Sequence, residues 1–144
     1  MANILYAEDD RDCRELFAFA LRCNDHKVHE AINGAQAVQI VREEEIDLVI
    51  LDARMPMVTG YDAARIIAKE KPDIPVVFLS ARGMRREVTL AFDSGPMVVG
   101  YLIKPISPQQ MVETIENIVE SCRIKGIDSV REENMARELV PAEW

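Results

Sequence analysis

The chain has 144 residues, 49% of them hydrophobic, with a formal net charge of −8. That suffices for one packed domain, and so acidic a chain is a poor partner for nucleic acid, whose phosphates need clustered Lys and Arg. No stretch is long and apolar enough to span a bilayer, and Met1–Tyr6 enters a strand without the regions of a signal peptide, so a cytoplasmic location is expected.

Apolar runs alternate with amphipathic segments along the chain. A first strand is predicted over 3–7 (NILYA) and ends in Glu8-Asp9-Asp10. A helix follows at 10–22, with Asp10 as its cap. The second strand, 27–31 (KVHEA), ends without a candidate functional residue. Asn33-Gly34 starts a helix at 34–44. The third strand, 47–51 (DLVIL), is the most apolar run and ends in Asp52. Thr59-Gly60 starts a helix at 60–70, with Gly60 allowing close backbone approach in the turn. Pro72 and Pro75 bracket the entry to the fourth strand, 75–79 (PVVFL), which ends in Ser80-Ala81. A helix at 84–94 precedes the fifth strand, 99–103 (VGYLI), which ends in Lys104-Pro105. Ser107-Pro108-Gln109-Gln110 reads as a capping box with Pro at the first helical position, opening a helix at 108–122.

Strand and helix alternating five times predicts an α/β fold: a doubly wound, five-stranded parallel sheet flanked by five helices, with 48–51 and 76–79 central. Residues 1–123 form this domain. The tail, 124–144, falls outside the alternation. It reads as a frayed segment or as a short docking helix opened by Ser129-Val130-Arg131-Glu132 and stopped by Pro141, with a weak stripe of Ile127, Val130, Met135 and Leu139. Cys13, Cys23 and Cys122 are widely spaced and suit buried free thiols rather than disulfides or zinc.

Asp52 alone would read as a cap or loop residue. The parallel sheet changes that, because all strand ends converge on one edge, where open α/β sheets bind ligands. Glu8, Asp9, Asp52, Ser80 and Lys104 would then share one crevice. Carboxylates so close repel unless a cation is bound, and hard oxygen ligands without His or Cys suit Mg²⁺, or Mn²⁺. With a Lys and a hydroxyl as donors, the set describes phosphoryl transfer with Asp as acceptor.

Glu8-Asp9, Asp52 with Met55-Pro56 and Gly60, Ser80-Ala81, Tyr101 and Lys104-Pro105, in this order over residues 3–122, resemble the receiver domain of bacterial two-component response regulators, in particular the stand-alone, chemotaxis-regulator-like kind. The resemblance implies a flavodoxin-like strand order 2-1-3-4-5. It implies that Asp52 takes a phosphoryl group from the phosphohistidine of a sensor histidine kinase or phosphotransfer protein. Asp9, Asp52 and the backbone carbonyl of Arg54 would ligate Mg²⁺, with Glu8 acting through water. Lys104 would contact the phosphoryl oxygens, flanked by Ser80-Ala81. Ser80 would swing toward the phosphoryl group and Tyr101 would turn inward behind it. The Lys104–Pro105 peptide would be cis. Output would run through the face of the fourth helix, fifth strand and fifth helix to a downstream protein, with no direct DNA or membrane binding and a monomer or weak dimer in solution.

Some positions depart from the usual pattern. Ser80 replaces the commoner Thr, and the segment Gly95–Tyr101 is about two residues longer than usual. Arg54 and Arg82, two residues past the acceptor and past the hydroxyl, resemble positions that tune dephosphorylation and partner choice, with Arg85 and Arg86 adding to a basic cluster. Arg54 or Arg82 is expected to overhang the site and shield the acyl phosphate from water. The alternatives are a Mg²⁺-dependent aspartyl-phosphate hydrolase and a phosphorylation-independent scaffold. A hydrolase would carry an acid/base Asp where Arg54 stands. A flavin-binding protein is disfavoured because Glu8-Asp9-Asp10 would repel its phosphate. The chain is thus expected to be a signalling switch rather than an enzyme.

Overall fold

The computed structural model describes residues 1–139. Five strands, β1 (Asn3–Ala7), β2 (Lys27–Ala31), β3 (Leu48–Leu51), β4 (Val76–Ser80) and β5 (Val98–Ile103), form one sheet in the order 2-1-3-4-5, with every neighbouring pair parallel. They alternate with α1 (Arg11–Cys23), α2 (Gly34–Glu43), α3 (Gly60–Glu70), α4 (Arg85–Asp93) and α5 (Pro108–Lys125). Strand alternation divides the core in two. Leu5, Val49, Leu51 and Phe78 face α2, α3 and α4, while Ile4, Tyr6, Leu48, Ile50 and Leu79 face α1 and α5. Both faces are covered, which is why β3 and β4 are continuously apolar.

The helices start where side chains can satisfy free amides. Asp10, Asn33, Thr59 and Ser107 each accept from a backbone N–H three residues on, and Ser107 and Gln110 close a reciprocal capping box. α4 differs, because its first residue follows Met84, which has no capping side chain.

The tail corrects the sequence reading. A sixth helix, α6 (Ile127–Leu139), follows Gly126, whose φ of 88° is open to glycine. Ser129 therefore lies inside α6 rather than capping it, and Pro141 lies outside the described residues, as does the side chain of Leu139. α6 packs along the outer edge of β5, against α4 and α5. Val130 is buried in the α1–α5 side of the core, Met135 packs on the other side, and Ile127 touches both. Polar contacts finish the attachment. The Arg131 guanidinium donates to the carbonyls of Phe92, Gly95 and Val98 at 2.7–2.9 Å, and Asn134 donates to the Val99 carbonyl at 2.6 Å. The Phe92 carbonyl lies in the last turn of α4, that of Gly95 between α4 and β5, and those of Val98 and Val99 on the edge strand β5.

The segment before Tyr101 carries an irregularity at the same place. Val76 pairs with Val98 and Val77 with Gly100, so Val99 is an extra residue bulged out of β5. The cysteine expectation is also corrected, since Cys23 is exposed and Cys13 and Cys122 are only partly covered.

Candidate functional site

The backbone ladder does not stop at the strand ends. The Glu8 N–H donates to the Ala31 carbonyl, that of Asp52 to Ala7, and that of Lys104 to Ser80, at 2.9–3.0 Å. Three candidate residues are thereby pinned at the ends of β1, β3 and β5 before their side chains are considered. The Lys104–Pro105 peptide is cis. Gly60 lies so close to Asp52 that an added Cβ would sit 2.1 Å from the Asp52 carbonyl oxygen, and its N–H bonds to the Ala53 carbonyl at 3.0 Å.

The expected side chains come together. Carboxylate oxygens of Glu8, Asp9 and Asp52 lie within 4.8 Å of one another. Glu8 is 1% and Asp52 8% exposed, while Asp9 faces solvent. Lys104 Nζ donates to Glu8 Oε1, so the lysine faces the acidic cluster from β5. The Arg14 guanidinium fixes the Glu8 backbone by donating to its carbonyl at 2.9 Å.

Burial, together with the hydrogen bond and charge of Glu8, pushes the Asp52 carboxyl up to about 7. Burial would also raise Glu8, but hydrogen bonds from Asp52 and Lys104 outweigh it and hold Glu8 below its usual range. Lys104 loses by burial but gains more from Glu8 and Asp52, and remains a firm cation. Two buried carboxyls sharing a proton mark a place where a divalent cation can replace that proton. The donor set, all carboxylate oxygen among the described residues, suits Mg²⁺ or Mn²⁺.

Ser80 is buried, and its Oγ accepts from the Arg82 N–H at 3.2 Å. Tyr101 is 3% exposed, stacked on Phe78 at 6.0 Å, with its hydroxyl donating to the Arg82 carbonyl. Tyr101 is thus inward in this structure. Its hydroxyl and that of Ser80 hold the same loop residue. Ala81 and Arg82 are exposed beyond it.

The Arg54 side chain is placed differently from expectation. Its guanidinium does not overhang Asp52 but reaches α4, where Nη2 donates to Glu87 Oε1 at 2.8 Å. Glu87 is 3% exposed and also accepts from the Tyr61 hydroxyl. In the sequence, Glu87 follows Arg85 and Arg86 and looks like part of a solvated helix face. Only the fold turns it inward.

The family profile described as "Response regulator receiver domain" matches residues 4–116. The chain is 29% identical over 138 residues to the probable transcriptional regulator ycf29 of Porphyra purpurea, covering 94% of this chain and 62% of that protein. It is 29% identical over 119 residues to the response regulator SaeR of Staphylococcus aureus, covering 83% and 51%. The chain therefore spans about half to three-fifths of the length of these curated relatives. Among solved structures, a receiver domain protein from Clostridium thermocellum superposes with a TM-score of 0.76 at 28% identity, covering 86% of this chain and 98% of that one. A CheY-like receiver from Methanospirillum hungatei JF-1 gives 0.81 at 17% identity, covering 88% and 99%, a likeness of fold. A matched profile over most of the chain, on a sheet whose strand ends gather the expected acidic and lysine side chains, places this chain in the response-regulator receiver domain family.

Proposed function

We propose that this chain is a phosphorylation-dependent switch whose acceptor is Asp52. The observation that carries the reading is the convergence of Glu8, Asp9, Asp52 and Lys104 from the ends of β1, β3 and β5 into one cluster, with the carboxylate oxygens within 4.8 Å. An Asp52 oxygen attacks the phosphorus of a phosphohistidine on a sensor kinase or phosphotransfer protein. An O–P bond forms, the P–N bond breaks, and the imidazole leaves with the electron pair and takes up a proton. Glu8, Asp9, Asp52 and the Arg54 carbonyl would hold a Mg²⁺ ion, which neutralises charge on the transferring group. Lys104 exchanges Glu8 for a phosphoryl oxygen, and the Ser80 hydroxyl is the remaining donor.

The readout is a change in partner affinity, and the differential affinity of the two states sets how much switching is available. The face of α4, β5 and α5 is assigned this role. α6 covers its lower part, so partner contacts fall on the β4–α4 loop, the first turn of α4 and the site-proximal end of β5. Met84 and Ile103 are exposed there, 67% and 42%, among Arg82, Arg85 and Arg86. A held signal is favoured over turnover because the residue two past the acceptor is an arginine engaged with Glu87, not an acid/base carboxylate.

The test is beryllofluoride binding with Mg²⁺, followed by amide chemical shifts. Shifts should spread from Asp52 through Ser80 to α4 and β5 and vanish in Asp52→Asn. Shifts that persist in Asp52→Asn would remove the acceptor assignment.

A further inference from the structure

Glu87 is the one buried carboxylate among the described residues that lies outside the acidic cluster. It is the third residue of α4, where a glutamate ordinarily completes a cap, yet Met84 before the helix offers no side chain to complete. Glu87 instead points inward and takes two donors. One is the Tyr61 hydroxyl, on a ring stacked with Phe78 at 5.6 Å. The other is Arg54, the cation in its salt bridge.

Arg54 is anchored at the other end. It stands two residues past Asp52, beyond the end of β3. Its side chain is 54% exposed, which leaves the guanidinium a solvent-facing side on which to move. One arginine thus has its backbone at the acceptor and its charge on α4.

Resting on the reading of Asp52 as phosphoacceptor, we propose that the Arg54 guanidinium is handed between two anions: Glu87 when Asp52 is unmodified, the phosphoryl group when it is phosphorylated. A phosphoryl group carries close to two negative charges and matches the planar guanidinium fork, so it outcompetes a single carboxylate. Once Arg54 leaves, Glu87 loses both its salt bridge and the cover of that side chain and keeps a single hydroxyl donor, which favours its exposure to water. Glu87 then moves toward water and takes the first turn of α4 with it. Glu87 is therefore a positioning residue: it sets how readily Arg54 reaches the phosphoryl group, and through that the lifetime of the acyl phosphate. It also links acceptor to α4 through Arg54, beside the Tyr61–Phe78–Tyr101 stack.

A double-mutant cycle on phospho-Asp52 decay tests this. The full chain is labelled with a small-molecule phosphodonor and Mg²⁺, and label loss is followed in wild type, Glu87→Gln, Arg54→Ala and the double variant. Glutamine keeps the shape and the Tyr61 hydrogen bond but frees Arg54. Glu87→Gln should lengthen the lifetime severalfold, Arg54→Ala should shorten it, and the double variant should match Arg54→Ala. An equal effect of Glu87→Gln with and without Arg54 overturns the handoff, as does an Arg54→Ala lifetime equal to wild type. The Arg54 side-chain ¹⁵Nε resonance gives a readout independent of decay. It should shift on beryllofluoride binding in wild type, and an unmoved resonance overturns the proposal. Absence of label on wild-type Asp52 would overturn the acceptor reading itself, whereas labelled variants with Glu87-independent lifetimes would overturn the handoff alone.

Discussion

Replacing Arg131 by alanine tests whether α6 belongs to the domain. Its guanidinium donates to three carbonyls, those of Phe92 and Gly95 at the end of α4 and Val98 at the start of β5, and lies 5.6 Å from the centre of the Phe92 ring. A hydrogen bond from a charged donor is worth about 1.5–3 kcal/mol, and a half-exposed cation–π contact about 0.5–1 kcal/mol. The contacts share one side chain and water can reach part of the site, so the sum is not additive. Arg131→Ala should cost about 2–4 kcal/mol, a sizeable share of the roughly 5–15 kcal/mol that holds a domain folded. Urea unfolding followed by far-ultraviolet circular dichroism measures it. Arg123→Ala is the companion, because Arg123 pairs with Glu120 on the surface of α5, both well exposed. It should move the unfolding midpoint far less than Arg131→Ala does. If the two variants unfold at the same urea concentration, α6 is a loosely attached tail and its role in shaping the partner face is lost.

Gly60→Ala should destabilise by about 3 kcal/mol in the same assay, since its Cβ would lie 2.1 Å from the Asp52 carbonyl oxygen and no flexible side chain is there to yield. Asp52 gives a pH prediction for the metal-free chain. Its carboxyl, raised to about 7 in the fold by burial and Glu8, contributes stability that is complete below the unfolded value of about 3.9 and is lost as pH rises through the folded value. In chelator, Asp52→Asn should therefore be more stable than wild type at pH 8, with the gap closing as the pH falls toward 4. Parallel pH profiles would contradict this. Adding Mg²⁺ at a hundred times its Kd should stabilise wild type by about 2.7 kcal/mol and leave Asp52→Asn nearly unchanged.

The sheet was legible because the pattern is redundant. Ile4 to Ala7, Leu48 to Leu51 and Val76 to Leu79 are apolar on both faces, and four helix starts carry side-chain caps. Once the strands are parallel, Glu8, Asp52 and Lys104 must meet, whatever the side chains do. What escaped is held by contacts to backbone carbonyls or by single buried charges. α6 shows only a weak apolar stripe because Arg131 and Asn134 do much of its attachment, and hydropathy counts both as solvent-facing. Glu87 was hidden for the same reason, as its burial depends on Arg54 and Tyr61, remote in sequence. The inward position of Tyr101 follows from stacking on Phe78, which no local pattern encodes.

The most direct test of the account is phosphorylation itself. The full chain is incubated with Mg²⁺ and a small-molecule phosphodonor, and intact mass and peptide mapping are read by mass spectrometry. The account predicts one phosphoryl group on Asp52, dependent on the divalent cation, absent from Asp52→Asn and strongly reduced in Lys104→Ala. Labelling at another residue, or undiminished labelling of Asp52→Asn, would contradict it.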